Sequence, residues 1–382
     1  MRILACSDFQ LGAGPDYGAA PGDRLRDQRA ALEFINATAS EHEVDLILFC
    51  GDAFERRRPT ASELNVFKHW LDYAPVAVVA ISGNHDATGA MEPTSLNVFQ
   101  GRSGFQLSTF PGVCHADGAD VALLPWAHPG VERAGVGPRG VDPVTRLLAV
   151  AAGLRAQCEP DRPALLALHW AMSGCSLPGG LPTSALREVV IPLDDLRAQG
   201  WDGIVGGHIH KIQRPAGNVW VCGSPTVSNF GEANLQHGVW IIETHPAGGL
   251  DAAVAYLVEV PDRPFLTFNV DLTTMYPDGR VLWAGADDVE GAVVRVRYRA
   301  TEEQARRVDQ ARLKRDLYAA GAHKVYAIEA TVVKAERARA EGANERLSPE
   351  EALEMWLGHA DVDGVDPAEL RKTASRYFEE VR

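Results

Sequence analysis

Four apolar runs in this sequence end in the same kind of polar cluster, and that repetition limits the architectures open to the chain. Ile3-Leu4-Ala5-Cys6 runs into Ser7-Asp8-Phe9-Gln10, and Leu46-Ile47-Leu48-Phe49-Cys50 into Gly51-Asp52. Val76-Ala77-Val78-Val79-Ala80-Ile81 leads through Ser82 into Gly83-Asn84-His85-Asp86, and Ile204-Val205 into Gly206-Gly207-His208-Ile209-His210. Short apolar runs rich in β-branched residues read as buried strands, so each cluster falls in the loop at a strand's carboxyl end. Open α/β sheets place their chemistry there. The four clusters therefore read as parts of one site.

Between the runs, residues 26–42, 62–73 and 143–157 carry helical periodicity, and this alternation implies a layered α/β domain. The chain then becomes richer in strands, expected at 165–168, 203–205, 219–222, 238–243 and 254–260. Turns such as Pro246-Ala247-Gly248-Gly249 separate them, which suits hairpins and a second sheet packed on the first. Pro261-Asp262-Arg263-Pro264 interrupts the pattern and marks a boundary between a domain at 1–262 and a smaller α+β domain at 263–382. In the latter, strands are expected at 265–272, 292–299 and 324–333, a helix at 302–320, and a surface loop or frayed helix at 334–346. Ser348-Pro349-Glu350-Glu351 and Asp366-Pro367-Ala368-Glu369 have the N-cap, proline and acidic residues that start helices. The apolar residues Met355, Trp356, Leu357, Leu370, Tyr377 and Phe378 of those closing helices are expected to pack on their own domain, with partner docking as the sharper alternative.

A chain of 382 residues suits two domains, and 46% hydrophobic with 23% charged residues is the balance of a soluble globular protein. No apolar run approaches the about 20 residues of a membrane span, and the first strand begins within the first few residues. Six cysteines without a C-x-x-C pair, two of them in apolar runs, suit a reducing compartment, so a cytoplasmic protein without disulfides or membrane contact is expected. The formal charge of 37 − 51 = −14 speaks against gripping nucleic acid by bulk electrostatics, without excluding it as a substrate.

Asp8, Asp52, Asn84, His169, His208 and His210 are oxygen and imidazole donors at strand ends, a mixture suited to hard or borderline divalent ions. His169 alone would more often be a core histidine beside Trp170; following Leu165-Leu166-Ala167-Leu168, it reads as a ligand. Two ions sharing a carboxylate can hold a phosphate and activate water, so phosphoester hydrolysis is the expected chemistry. Arg56-Arg57-Arg58 follows the Gly-Asp cluster and is balanced between a solvated charge run and contacts to flanking phosphates. Arg295, Arg297 and Arg299 alternate with Val294, Val296 and Tyr298, so a strand would present the three guanidinium groups on one face. That face could guide duplex DNA or simply be solvated.

Asp8-Phe9-Gln10, Gly51-Asp52-Ala53-Phe54-Glu55, Gly83-Asn84-His85-Asp86, His169-Trp170 and Gly207-His208-Ile209-His210 resemble, in order, the five blocks of the calcineurin-like metallophosphoesterases. Gly223-Ser224-Pro225, Phe230-Gly231-Glu232 and the strand-helix-strand module after Pro264 resemble the SbcD-like branch, DNA repair nuclease subunits whose partner is the SbcC ATPase. The resemblance implies two packed mixed β-sheets flanked by helices, followed by a capping domain. It implies two divalent ions, Mn²⁺ by family habit: Asp8, Gln10, Asp52 and His210 around the first, and Asp52, Asn84, His169 and His208 around the second. His85 would assist the leaving oxygen, and Asp86 would orient His85. Position 10 is His in the family, and Gln10 is a neutral, weaker donor, which implies a looser first ion. DNA as substrate, an SbcC-like ATPase as partner and a homodimer are the associations implied. A phosphatase or cyclic-nucleotide phosphodiesterase on the same fold, and a binding scaffold with weakened catalysis, are the alternatives.

Overall fold

The computed structural model describes residues 1–14, 22–87, 94–127, 141–245, 253–275, 289–333, 347–358 and 366–381. The chain opens with β1 (Arg2–Cys6), α1 (Asp23–Glu41), β2 (Leu46–Phe49), α2 (Ala61–Asp72), β3 (Val78–Ile81) and β4 (Phe105–Ser108). It continues through β5 (Gly112–Ala116), β6 (Ala119–Leu124), α3 (Pro143–Arg155), β7 (Ala164–Leu168), β8 (Ala171–Met172), β9 (Val190–Ile191) and α4 (Leu193–Arg197). Then come β10 (Gly203–Gly206), β11 (Gln213–Ala216), β12 (Val219–Val221), β13 (Gly238–Thr244) and β14 (Ala253–Glu259). Twelve of these strands build two six-stranded sheets, ordered β14-β13-β1-β2-β3-β4 and β11-β12-β10-β7-β6-β5, and β8 pairs with β9 in a separate two-stranded sheet.

Alternation along each strand produces the layers. Ile3 and Ala5, Leu46 and Leu48, and Val79 and Ile81 point to the second sheet, where they pack with Val121, Leu123, Leu165, Ala167 and Val205. The intervening Leu4, Ile47, Phe49, Val78 and Ala80 face α1 and α2 through Leu32, Ile35, Phe67 and Trp70. On the far side Leu124, Leu166, Leu168 and Ile204 meet α3 and α4. A strand buried on both faces must be apolar at every position, which is why these runs are continuous rather than alternating in sequence.

Parallel pairing then collects the loops. β1 to β4 pair in parallel with Cys6 opposite Phe49 and Phe49 opposite Ala80, and β6, β7, β10 and β12 do likewise with Leu168 opposite Gly206. The carboxyl ends of β1, β2 and β3 in one sheet, and of β7 and β10 in the other, therefore open on neighbouring loops. The two-sheet layered fold expected from the sequence is present, with β4, β5 and β6 among the strands not anticipated.

The described residues cluster into two compact units, and the first includes residues on both sides of Pro261-Pro264: Met1–Thr267, Ala284–Arg295 and Lys314–Ala327. Asp262 accepts the Val227 N–H at 2.5 Å, and Arg263 forks onto Asp27 at 2.6 and 2.8 Å, so this segment is anchored rather than loose. Beyond it β15 (Phe265–Asp271), β16 (Val293–Thr301) and β17 (Lys324–Val333) form a three-stranded sheet. The helix expected over 302–320 is two, Glu302–Arg307 and Gln310–Ala319. Val308 turns extended, and Asp309 accepts the Arg312 N–H to start the second. Helix Pro349–Leu357 starts on a Ser348–Glu351 capping box as read from the sequence, but it buries none of its residues. Trp356 and Tyr377 are exposed, whereas Met355, Leu357, Leu370 and Phe378 are half-buried, and the two closing helices contact each other, with Arg371 paired to Glu354 at 2.7 Å. The expected turn at 246–249 and the segment 334–346 lie outside the described residues. Among the described residues no helix is long and apolar enough to cross a membrane, and all six cysteines are free thiols.

Candidate active site

The loops after β1 and β2 run side by side. Asp8 N–H donates to Gly51 O at 2.9 Å, Gln10 N–H to Asp52 O at 3.2 Å and Leu11 N–H to Ala53 O at 2.9 Å. Phe9 is driven into the aromatic core, its ring 4.6 Å from Phe49 and 4.9 Å from Trp70, which turns its neighbours Asp8 and Gln10 the other way. Asp8, Gln10, Asp52 and His208 all have positive φ, at 53°, 45°, 59° and 77°. Such backbone costs about 1–3 kcal/mol per residue and persists only where the surroundings over-determine it. The loop hydrogen bonds and the Phe9 anchor do that here. A Cβ on Gly83 would fall inside the Asp52 carboxylate, so only glycine lets the loops after β2 and β3 close to this distance.

Asp8, Asp52 and His169 are buried, and one ligand atom from each lies within 4.8 Å of the others. Asp52 Oδ2 is 3.4 Å from His169 Nε2 and accepts Gln10 Nε2–H at 3.0 Å. Asn84 Oδ1 lies 3.2 Å from His169 Nε2 and 2.8 Å from His208 Nδ1. His210 Nε2 is 3.5 Å from Gln10 Nε2 and 4.0 Å from Asp8 Oδ1. Thus the structure brings Asp8, Gln10, Asp52, Asn84, His169, His208 and His210 together.

A divalent cation suits this cluster. Asp8 Oδ1 is buried without a hydrogen-bond partner, a costly state for an acceptor unless a cation faces it. The set mixes carboxylate, amide and imidazole donors, a combination suited to a hard or borderline divalent ion. Gln10 turns its NH₂ toward Asp52, so ligation by its oxygen requires the amide to flip.

The electrostatics agree. Burial opposes charge on His169, but Asp52 raises it to about 10; burial likewise opposes His210, which Glu232 and Asp8 raise to about 9. Burial would raise Asp52, and the His169 charge instead holds it near 2. The imidazolium groups thus balance the carboxylates, and a bound cation would take over that role by displacing protons. Mn²⁺ uptake at pH 8 is accordingly expected to release about two protons, read as a binding heat that varies with buffer ionisation enthalpy; a buffer-independent heat would contradict it. In the metal-free protein the same raised values stabilise the fold fully below the unfolded imidazole value of about 6.5, and that stability is lost as pH climbs through about 9 to 10.

Asp86 departs from the expected role of orienting His85. His85 Nδ1–H donates to the Glu55 carbonyl at 2.7 Å, so main chain rather than Asp86 orients the ring. The buried Asp86 carboxylate instead accepts three backbone N–H groups, from Asp52 at 2.9 Å, Ala53 at 3.1 Å and Gly83 at 2.9 Å. Burial and the Asp52 charge push Asp86 up to about 7, opposed by these donors. It fastens together the loops that carry Asp52 and Asn84.

Two residues given no role by the sequence reading touch the histidines. Glu188 Oε1 lies 2.6 Å from His208 Nε2, and Glu232 Oε1 lies 3.0 Å from His210 Nδ1. The Cys50 carbonyl accepts from His169 Nδ1 at 2.5 Å. The Phe230-Gly231-Glu232 block was the available signal for Glu232; Glu188 had none.

The arginines fall differently. Arg56, Arg57 and Arg58 are exposed directly after Glu55. Arg295, Arg297 and Arg299 do share the face of β16 opposite the buried Val294, Val296 and Tyr298. Each is engaged: Arg295 stacks 4.2 Å over the Phe230 ring, Arg297 pairs with Glu329 at 2.9 Å, and Arg299 lies 3.3 Å from Asp271.

Residues 1–212 match the family model described as calcineurin-like phosphoesterase. The chain is 26% identical over 300 residues to the SbcD component of the nuclease SbcCD of Escherichia coli, 72% of each chain, and 32% identical over 90 residues to that of Bacillus subtilis, 22% of each. A dimetal phosphatase structure from Danio rerio covers 63% of this chain and 92% of its own at 14% identity, with a TM-score of 0.40. The family match takes in more than half of the sequence and every loop that contributes to the Asp8–Asp52–His169 cluster; the chain belongs to the calcineurin-like phosphoesterases.

Proposed function

We propose that this chain is a metal-dependent DNA phosphodiesterase, an SbcD-like nuclease that works in DNA repair or recombination with an SbcC-like ATPase. The observation that carries the reading is the ring of donors at the joined strand ends, with Asp8 Oδ1 buried and unsatisfied within it. The similarity to the SbcD component of a nuclease supports the choice of DNA over smaller phosphoesters. Asp8, Gln10, Asp52 and His210 are assigned to a first ion, and Asp52, Asn84, His169 and His208 to a second, with Asp52 shared. When bound, two Mn²⁺ ions neutralise phosphate oxygens and make water nucleophilic near neutral pH.

The chain's own residues supply the remainder. The Glu55 carbonyl fixes the His85 ring through Nδ1–H, which leaves Nε2 as the nitrogen that delivers a proton to the departing sugar oxygen. The exposed Arg56, Arg57 and Arg58 on the same loop are assigned to flanking phosphates, which position the backbone without reading sequence. Residues 1–262 are taken as the hydrolase and 263–382 as a cap, with Arg295, Arg297 and Arg299 toward DNA and the apolar faces around Trp356 and Tyr377 toward the ATPase. A cytoplasmic location accords with the six free thiols.

The test is a panel of linear duplex DNA, single-stranded DNA, a chromogenic phosphodiester and a phosphomonoester, each with Mn²⁺ and with chelator. Metal-dependent cleavage of DNA supports the nuclease; hydrolysis of the small esters with DNA untouched would instead establish a phosphatase or cyclic-nucleotide enzyme. The neutral amide at position 10 adds an expectation. Gln10→His should tighten the weaker of two Mn²⁺ sites by about tenfold or more, measured calorimetrically, because an imidazole is the better donor and needs no flip. Unchanged affinity would show that Gln10 does not weaken the first ion.

A further inference from the structure

We propose that Glu232 and Glu188 are positioning residues, each fixing one histidine of the Gly207-His208-Ile209-His210 loop and each addressing a different metal ion. The inference rests on the two-ion reading above.

The geometry is complementary at the two histidines. His210 offers Nδ1 to Glu232 and keeps Nε2 toward Gln10 and Asp8. His208 does the opposite, offering Nε2 to Glu188 and keeping Nδ1 toward Asn84. A carboxylate on the outer nitrogen fixes tautomer and ring orientation and makes the inner nitrogen a stronger donor.

Glu232 is itself held. Its Oε2 accepts the Ser228 N–H at 2.8 Å and its Oε1 accepts Asn229 Nδ2–H at 3.0 Å, while its carbonyl faces the buried His237. The side chain is only 4% exposed, so water cannot replace it. Glu188 is 38% exposed, at the rim rather than in the core. A tightly held carboxylate on His210 strengthens the ion site that Gln10 leaves with a neutral donor, which gives the buried pair a purpose beyond packing.

The test is Mn²⁺ calorimetry on the full chain, wild type beside Glu232→Gln, Glu188→Gln, His210→Gln and His208→Gln. Glu232→Gln should weaken, by about 10- to 100-fold, the same site that His210→Gln abolishes, and leave the other at wild-type affinity. Glu188→Gln should do the reverse. The retained site in each variant reports that the fold persists. In the metal-free protein, a slowly exchanging downfield Nδ1–H resonance that disappears in His210→Gln should also be lost in Glu232→Gln and kept in Glu188→Gln. Two wild-type sites in both variants, or equal weakening of both sites by each, would overturn the assignment. A wild-type chain that binds no Mn²⁺ but keeps the resonance pattern would remove the two-ion reading while leaving Glu232 as the partner that orients His210.

Discussion

His85→Gln is expected to lower phosphodiester turnover by about 10²- to 10⁴-fold at saturating Mn²⁺ while leaving Mn²⁺ affinity unchanged. The two effects separate because residue 85 serves the site twice. Its backbone N–H donates to Asp52 Oδ1 at 2.8 Å, and Gln keeps that bond. Its ring, held by the Glu55 carbonyl, is the group proposed to carry a proton to the leaving oxygen, and Gln cannot do so. Single-turnover rates together with calorimetry distinguish the outcomes. Turnover within a few-fold of wild type would remove His85 from the chemistry, and a parallel loss of metal affinity would mean that its ring supports the ligands rather than the reaction.

Asp86→Asn is expected to damage stability and metal binding together. Three backbone N–H groups converge on a buried carboxylate that has two oxygens to receive them. An amide presents one oxygen and an NH₂, so at least one buried N–H faces a donor, at a cost of about 1–3 kcal/mol; Asp86→Ala would strand all three. Against a typical total of about 5–15 kcal/mol, either change should lower the thermal midpoint clearly. Because the donors belong to Asp52, Ala53 and Gly83, the loops that carry Asp52 and Asn84 should lose register, and both Mn²⁺ sites should weaken. Thermal unfolding with and without Mn²⁺ reads both effects. A wild-type midpoint with two intact sites would show that Asp86 does not fasten these loops.

The strands at the centre of both sheets were readable because burial on two faces leaves apolar runs that nothing else in the chain imitates. Asp8, Asp52, Asn84 and the three histidines were readable for a related reason: parallel strands bring their carboxyl ends to one edge. β5 and β6 were missed as short runs, although the Asp117-Gly118 pair between Ala116 and Ala119 is a two-residue hairpin signal, and Gly118 has the positive φ such a turn needs. The role of Asp86 was not legible, because its partners are main-chain N–H groups, which every residue but proline has. Glu188 and Glu232 lie 20 and 22 residues from the histidines they hold, and only the folded chain joins them. The break at Val308 was hidden by helix-forming residues on either side of it.

The most direct test of the central claim is to measure cleavage of linear duplex DNA while Mn²⁺ is titrated into the metal-free chain, with bound ions counted in the same samples. The proposed two-ion site predicts cleavage that rises steeply as the second equivalent binds and that stays at background in Asp52→Asn. Full DNA cleavage with chelator present, or none with two Mn²⁺ ions bound and the SbcC-like partner supplied, would contradict it.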